Sequence, residues 1–538
     1  MPGSPRAMTA PHSTDSPPPA HPLAIPLFRA LWIATVMSNI GTWMHDVGAG
    51  WLMTSLSPNP LMVALVQAAT TFPMFAFALP AGALADIIDR RKLLIAAQLF
   101  GLLAAAGLSV VTLAGQASAG LLLLFTAAIA TGAAFSAPAF QAIVPELVPP
   151  ASLQQAVALN ALGVNIARAI GPALGGLIIA MAGPGAVFAA NALSVMGALF
   201  VLARWRRVAA VRTLPAEHMV GAMRAGLRYA LGAPELRVVL IRAIGFFLFA
   251  SCLWALLPII ARRDLGLGPL GYGGLLTFMG LGAVTGALAM PRLRQKMGAN
   301  AITLAASLLL AAAMAGLSQI ATFASAAAMI FLAGLAWIAM MASLNGGAQA
   351  ASPGWVKARA LAIYLLVFQG SMALGATVWG TLASVIGVPS ALVAAAVLLA
   401  LASFWLAARL PLDAASAPDL APSAHWPVPM VEAAVAHDSG PVLVTIEYRI
   451  DPDRIPAFFD AIQAMRRIRR RDGAIDWGVY EDTAAPGSVI ETFTVESWLE
   501  HLRQHERVTG ADRVIQDALR SFHLGTAPPL VRHFVARR

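Results

Sequence analysis

The 538 residues are 59% hydrophobic and 12% charged, with a mean hydropathy of +0.74. Soluble domains carry about twice that share of charge, which excludes a wholly water-soluble protein. The net charge of +10 is spread between apolar runs rather than gathered on one face, which argues against nucleic acid as a partner. A single cysteine, Cys252, excludes an intramolecular disulfide framework; it lies in an apolar run and reads as packing.

Residues 1–22 are rich in Pro, Ser, Ala and His and hold no apolar core. They read as a disordered cytoplasmic tail, not a cleavable signal peptide. Crossing the hydrocarbon takes about 20 apolar residues. Candidate spans fall near 29–55, 60–85, 93–115, 119–145, 153–182 and 185–203, then near 238–261, 271–291, 300–320, 323–351, 359–386 and 388–409. Runs this long must satisfy their own backbone hydrogen bonds in lipid, so each is predicted as helix. The polar interval 204–237 divides them six and six, into an N-terminal bundle (23–203) and a C-terminal bundle (238–410). Within that interval, 219–231 has helical periodicity with Arg224 and Arg228 four apart. That spacing predicts an amphipathic helix on the membrane surface.

Lys and Arg set the orientation. Arg90, Arg91, Lys92, Arg204, Arg206, Arg207, Arg212, Arg224 and Arg228 fall on one side, together with Arg292, Arg294, Lys296, Lys357 and Arg359. The loops 57–59, 114–118, 183–185, 321–325 and 387–390 on the other side carry none, and only Arg262 and Arg263 break the pattern. Both termini and the central loop are therefore expected in the cytoplasm.

Between the second and third spans the chain reads Gly82-Ala-Leu-Ala-Asp86-Ile-Ile-Asp89-Arg90-Arg91-Lys92. A worn copy, Gly286-Ala-Leu-Ala-Met290-Pro-Arg-Leu-Arg294-Gln-Lys296, follows 204 residues later. The same offset carries Arg168-Ala-Ile-Gly171-Pro172-Ala-Leu-Gly175-Gly176 onto Met372-Ala-Leu-Gly375-Ala-Thr-Val-Trp379-Gly380. Two motifs at one offset, in corresponding spans, indicate a transporter built by duplication.

The chain resembles the major facilitator superfamily. The 82–92 stretch resembles that family's signature between its second and third helices, and Gly171-Pro172-x-x-Gly175-Gly176 resembles the fifth-helix motif of its exporters and antiporters. The opening Phe28-Arg-Ala-Leu-Trp and Ser38-Asn39-Ile-Gly41-Thr42-Trp43, with the soluble tail, resemble the branch that includes enterobactin exporters. The implied fold is an all-α membrane protein of twelve transmembrane helices in two six-helix bundles, followed by a soluble α+β domain.

In that family the 82–92 hairpin clamps the bundles on the cytoplasmic side. Gly82, Asp86, Arg90, Arg91 and Lys92 are the expected gate residues, with Asp86 pairing to a basic residue and releasing it as the bundles rock. The alternative is an anchor that only fixes orientation. Met290 stands where Asp86 does, so the gate is expected to be asymmetric. Gly171, Pro172, Gly175 and Gly176 are expected at the interface between bundles, where small residues let backbones approach; ordinary close packing is the alternative.

Intramembrane ionisable residues are His45, Asp46, Arg168 and Arg242, each costing about 3 kcal/mol or more at the bilayer centre. Arg242, near the cytoplasmic start of its helix, reads as snorkelling. Asp46 and Arg168 both count to roughly 25 Å above their helix starts at ~1.5 Å per residue, and their helices are neighbours in the resembling fold. An Asp46–Arg168 pair is expected, with Asp46 as the proton-coupling acid and His45 or Arg168 tuning it; a fixed ion pair, or an Asp46 turned to the outer water, is the alternative. The central cavity is expected to be apolar. Trp43, Trp51, Trp254, Phe278, Trp337, Asn345 and Gln349 are candidates to line it. The family's cavity helices favour Trp43, Trp254 and Trp337; a lipid-facing position is the alternative for each.

After a Pro- and Ala-rich linker (411–440), strands at 442–450, 474–481, 488–495 and 530–535 alternate with helices at 452–471 and 497–522. The order β-α-β-β-α-β gives a ferredoxin-like cytoplasmic domain over 441–538. It resembles the dimeric α+β barrel of antibiotic-biosynthesis monooxygenases. Trp477, Trp498, His501 and His505 form no compelling catalytic set. His501 and His505, four apart, read as a solvated face beside Arg503 and Arg507 rather than a metal site. Dimerisation or regulation is the expected role. The chain as a whole is expected to be a proton-driven exporter of a hydrophobic or siderophore- or drug-like small molecule in the bacterial inner membrane, with no cofactor and no metal. Alternatives are a membrane-tethered oxygenase acting through 441–538, or a nutrient importer.

Overall fold

The computed structural model describes residues 21–205, 219–320, 322–412, 419–423, 425–426, 435–436 and 438–536. The expected disordered tail (but for residues 21 and 22), Arg206, Arg207, Arg212, most of the 411–440 linker and the side chain of Asp86 lie outside the described set.

In chain order the helices are α1 (Pro26–Leu56), α2 (Pro60–Ile87), α3 (Arg90–Leu113), α4 (Ala119–Leu147), α5 (Leu153–Arg204), α6 (Met219–Gly232), α7 (Pro234–Ile259), α8 (Pro269–Lys296), α9 (Ala299–Leu317), α10 (Phe323–Ala350), α11 (Lys357–Ile386) and α12 (Val388–Arg409). Local chemistry fixes the reversals between them. The Asn59 side chain accepts from Leu61 N with Pro60 opening α2, and Asp89 accepts from Lys92 N at the start of α3. By length and composition, α2 to α5 and α7 to α12 are ten helices able to cross a membrane.

α5 runs for 52 residues, about 78 Å at ~1.5 Å per residue and far more than a bilayer needs. It breaks at Gly183, whose φ of +78° is a left-handed conformation open to glycine, with Pro184 following. The two spans expected at 153–182 and 185–203 are the legs of this one kinked element. α1 adds 31 residues that carry His45 and Asp46.

The duplication is visible in the packing. α2 and α3 pack on α4 as α8 and α9 pack on α10, and α1 packs on α5 as α7 packs on α11. Between bundles α5 meets α8, and α2 meets α11. The paired glycines repeat this residue by residue. A Cβ on Gly171 would lie 2.5 Å from the Trp43 Cβ of α1, and one on Gly375 would lie 2.4 Å from the Leu248 carbonyl oxygen of α7. Gly176 abuts Pro269 and Gly273 of α8, while Gly380 abuts Leu61 and Ala64 of α2.

The tail domain comprises β1 (Val442–Arg449), α13 (Ile455–Arg471), β2 (Asp476–Glu481), β3 (Ser488–Val495), α14 (Trp498–Arg507), α15 (Gly510–Arg520) and β4 (Leu530–Val535). The sheet order is β2-β3-β1-β4 with every neighbour antiparallel, Val444 opposite both Phe493 and His533. Phe458, Ile462, Met465, Phe493 and Trp498 fill the space between sheet and helices. The single helix expected at 497–522 is two. Thr509 accepts from Asp512 N while Asp512 accepts from Thr509 N, a capping box that starts a new helix there.

α6 joins the two parts. Its Gly226 lies against Arg359 of α11 and its Gly232 against Arg471 of α13, whereas Leu227 and Leu231 stay exposed. Arg224 is exposed on the same side as these leucines.

Candidate functional site

Trp43, Trp254 and Trp337, drawn from three helices, come together. Trp43 of α1 lies 6.4 Å from Trp254 of α7, and Trp254 packs edge-on against Trp337 of α10 at 5.4 Å, centroid to centroid. Phe246, Phe247 and Phe368 continue the cluster beyond Trp337. At the other end the Arg168 guanidinium sits 5.6 Å from the centre of the Trp43 ring. The row therefore runs from one bundle into the other. The Trp254 indole N–H within it is buried without a hydrogen-bond partner among the described residues.

Asp46 does not pair with Arg168. Gly171 abuts Trp43 and Gly175 abuts Val47, an offset of 128 residues in both cases (171 − 43, 175 − 47). On that register Arg168 is level with Ile40, about 9 Å below Asp46 at ~1.5 Å per residue. On the same register Leu153, the first residue of α5, is level with Ile25, so both helices start together; counting missed the difference in part because α1 begins at Pro26 and not at the expected 29. Asp46 is three residues past Trp43 and four before Gly50, so the three share a face. Gly50 abuts Pro258 of α7 and the Tyr272 hydroxyl of α8, which turns Asp46 toward the C-terminal bundle, within electrostatic reach of Tyr272. His45 points elsewhere: it is buried, packs 5.2 Å from Phe188, and neither ring nitrogen has a partner. Arg242 is buried and bonded to Asn300, to Thr303 Oγ1 at 2.8 Å and to the Leu410 carbonyl at 3.2 Å.

At the end away from the tail domain the bundles meet backbone to backbone. A Cβ on Gly176 would lie 2.8 Å from the Pro269 carbonyl oxygen, and one on Gly273 2.6 Å from that of Pro172. The glycine motif thus has Gly171 and Gly175 on α1 and Gly176 on α8. Trp51 and Tyr272 stack at 6.0 Å, and Arg262 covers Trp51 at 5.1 Å while bonding Thr54 Oγ1 at 2.9 Å and Ser55. Arg262 was legible only as an exception among the loop charges; its role as a cross-bundle bridge needs the fold.

At the tail-domain end Arg90, Arg91 and Arg294 each make a bond within their own bundle. Arg90 pairs with Glu146 of α4 at 3.0 Å, and Arg91 donates to the carbonyls of Leu202 and Ala203 at 2.8 Å each. Lys92 N is held by the Asp89 cap at 3.0 Å. In the second half Arg294 donates to the Ala342 carbonyl at 2.9 Å. A Cβ on Gly82 would meet no described atom within 4 Å, whereas one on Gly286 would press on Leu335 and Ile338 of α10.

Two cavities open in the bundles. One of about 560 Å³ lies at the tail-domain end of the second bundle, between Glu235, Arg294, Ser343 and Leu412. The other, of about 360 Å³, lies in the first bundle and is lined by Ser38, Asn39, Thr42, Gln98, Gln141 and Asn160 among others. Its amides and hydroxyls sit among a mostly apolar lining. Trp43, Trp254 and Trp337 line neither cavity. Trp51 belongs to the far-end seal, Phe278 is exposed beside Phe323, and Gln349 bonds Asn345 at 2.5 Å.

In the tail domain His501 is buried, not solvated. Trp498, His501, Gln504 and His505 turn into the domain, with His501 Nε2 3.3 Å from His505 Nε2 and the His501 and His533 rings 4.6 Å apart. Burial, then the neighbouring charges of His533 and His505, hold His501 down at about 3. Burial and His533 hold His505 down at about 4, and burial also lowers His533. A second cluster centres on the fully buried Glu491, which accepts from Arg469 Nε at 2.9 Å, Trp477 Nε1 at 3.0 Å and the Tyr448 hydroxyl at 3.3 Å. The opposite side of α14 grips the membrane part. Glu500 pairs with Arg228 of α6 at 3.2 Å and with Arg507 at 2.6 Å, and Arg507 lies over Trp355 at 4.7 Å.

Residues 18–538 match the family described as transmembrane secretion effector, in the major facilitator superfamily. The chain belongs to that family. It is a multi-pass membrane transporter rather than an enzyme. It is 29% identical over 155 residues to the staphyloferrin A transporter of Staphylococcus aureus, covering 29% of this chain and 39% of that one. It is 27% identical over 273 residues to the enterobactin exporter EntS of Escherichia coli O1:K1 / APEC, covering 50% and 64%. The matches thus span less than two thirds of these relatives. Among solved structures, a bacterial homolog of the human lysosomal transporter Spinster superposes with a TM-score of 0.56 at 14% identity, over 71% of this chain and 96% of that one. A POT family transporter in complex with a thioalcohol-conjugated peptide gives 0.59 at 12%, over 70% and 95%. These likenesses establish the fold.

Proposed function

We propose that this transporter is a proton-driven exporter of a siderophore-like or other partly hydrophobic small molecule, working by alternating access in the bacterial inner membrane. On this reading α1, the two legs of α5 and the nine other long helices are twelve spans, with both termini in the cytoplasm. The observation that carries the reading is the aromatic row Trp43–Trp254–Trp337 across the bundle boundary, with Asp46 on the same face of α1. Flat rings offer a substrate stacking surface, and the unpartnered Trp254 N–H offers it a donor.

The far-end contacts at Gly176, Gly273 and Arg262 correspond to a cytoplasm-facing state. In the opposite state Gly82 would gain the close neighbour it lacks here. The amides and hydroxyls of the first-bundle cavity, set in an apolar lining, favour a substrate with some hydrogen-bonding groups over a plain hydrocarbon. The similarity to the staphyloferrin A transporter and the enterobactin exporter points to the same class. The tail domain is read as a ferredoxin-like dimerisation or regulatory module; Leu443, Leu530 and Phe534 are exposed on its sheet, an apolar face suited to a second copy.

The experiment is retention of candidate siderophores in cells with and without the chain, under an imposed pH gradient. Greater retention without it supports export. Equal retention across the candidates would overturn that direction.

A further inference from the structure

We propose that the tail domain is a receptor for a planar aromatic small molecule bearing a hydrogen-bond donor, and that Trp426 of the linker is its built-in occupant. The inference goes beyond transport and does not rest on it.

Trp426 belongs to neither the sheet nor its helices. A strap delivers it: Gly510 N donates to the Ala421 carbonyl at 3.0 Å, Ala511 N to that of Asp419 at 2.9 Å, and Ser423 N to that of Val508 at 3.0 Å. The strap ends with the Trp426 ring set between two groups. The Arg469 guanidinium lies 4.9 Å from its centre, and His505 meets it edge-to-face at 5.1 Å and 82°. Trp426 Nε1 donates to Gln516 Oε1 at 2.7 Å, and His425 Nε2 reaches the same oxygen at 2.8 Å. Arg469 is 3% exposed, backed by Phe493 at 4.5 Å and held by Glu491, so the guanidinium is fixed before any ring arrives.

The polar groups around this ring have more bonding capacity than the chain satisfies. His501 and Gln504 are 2% and 1% exposed. Among the described residues Gln516 Nε2 has no partner, His501 and Gln504 have no close partner beyond each other, and His505 Nδ1 meets no more than the Trp426 backbone. Folded domains keep few buried orphans, and a group of them in one place is bonding capacity that a polar ligand can use. The occupant's chemistry follows from what surrounds it. A buried cation and an imidazole edge select a π face, Gln516 Oε1 selects a donor on its rim, and His501 and Gln504 suit a second polar substituent. Phenols, catechols and indoles have that form. Trp426 is displaceable because its removal takes nothing from the sheet–helix core of Phe458, Met465, Phe493 and Trp498.

The test is equilibrium dialysis of the full-length protein in detergent micelles against labelled catechol and indole, with trans-1,2-cyclohexanediol as the non-aromatic control. Trp426→Ala is expected to bind one equivalent of an aromatic probe at least tenfold more tightly than wild type. Adding Gln516→Leu should abolish that gain, and the diol should show none. Trp426→Phe keeps a ring but no donor and should give a smaller gain, about threefold; it serves if Trp426→Ala misfolds. Equal affinities for wild type and the folded variants, or the same gain for the diol, would overturn the proposal. Binding sensitive to Trp426 in a protein whose vesicles export nothing would overturn the transport reading alone.

Discussion

Trp43 of α1 and Trp254 of α7 meet across the boundary between the bundles, their ring centroids 6.4 Å apart. Neither ring belongs to a sealed core: both are half-buried, and the Trp254 N–H is unsatisfied. A site that must open and close places its recognition groups at such a seam.

Replacing Trp254 separates its two contributions. Trp254→Phe keeps the ring and removes the donor, whereas Trp254→Ala removes both. An aromatic contact is worth about 0.5–1.5 kcal/mol, so the alanine variant should weaken apparent substrate affinity by roughly three- to tenfold. Phenylalanine should lie between, as read from concentration-dependent flux. Wild-type affinity in both variants would remove Trp254 from the site.

Arg262 bridges the far ends of the bundles through Thr54, Ser55 and the Trp51 ring. A cation–π contact of about 0.5–1 kcal/mol and hydrogen bonds of about 1 kcal/mol each make this a modest latch. Arg262→Ala should therefore shift the population toward far-end opening rather than unfold the protein. Spin labels at residues 57 and 266 should report a longer distance population in the variant. An unchanged distribution would reduce the contact to packing.

The tail domain should lose stability in acid. His501 and His505 are held at about 3 and 4 in the folded state, below the ordinary value near 6.5 of an unfolded chain. The unfolded state binds more protons between those values, so this stabilisation is complete above about pH 6.5 and falls as pH drops toward 3. The unfolding midpoint of the tail domain, followed by hydrogen exchange in the intact protein, should fall over that window. His501→Phe should flatten the slope. A slope unaltered by that change would assign the acid sensitivity to other groups.

Glu491 is fully buried with Arg469, Tyr448 and Trp477 around it. Glu491→Gln leaves a buried guanidinium without its counter-charge, a change that costs about 3–5 kcal/mol. The tail domain should melt first in this variant, with α6 exchange rising as the Arg228–Glu500 contact is released. Simultaneous melting of both parts would show that they unfold as one unit.

Much of this was readable in the chain. The offset of 204 that joins Gly171 to Gly375 and Gly176 to Gly380 reappears as matched contacts on α1 and α7 and on α8 and α2. The four expected strands lie within two residues of those observed, and Thr509-x-x-Asp512 carries the helix-start signal that divides α14 from α15 where one helix was expected. What sequence could not supply was relative height and long-range placement. The missing Asp46–Arg168 pair is an error of about a turn and a half, half of it because α1 starts at Pro26 and not at the expected 29. Trp426 and His533 lie 79 and 28 residues from His505 (505 − 426, 533 − 505), and nothing local ties them to it. His501 and His505 looked solvated because Arg503 and Arg507 interleave with them, yet the histidines turn inward.

Asp46 is the central claim: it faces the second bundle beside the aromatic row and has no ion-pair partner among the described residues. The most direct measurement is substrate uptake into inside-out vesicles with an acidic lumen, comparing wild type with Asp46→Asn. Accumulation against the gradient by wild type, abolished by a protonophore and by Asp46→Asn while downhill exchange persists, is the predicted result. Uphill accumulation by Asp46→Asn at the wild-type rate would contradict it.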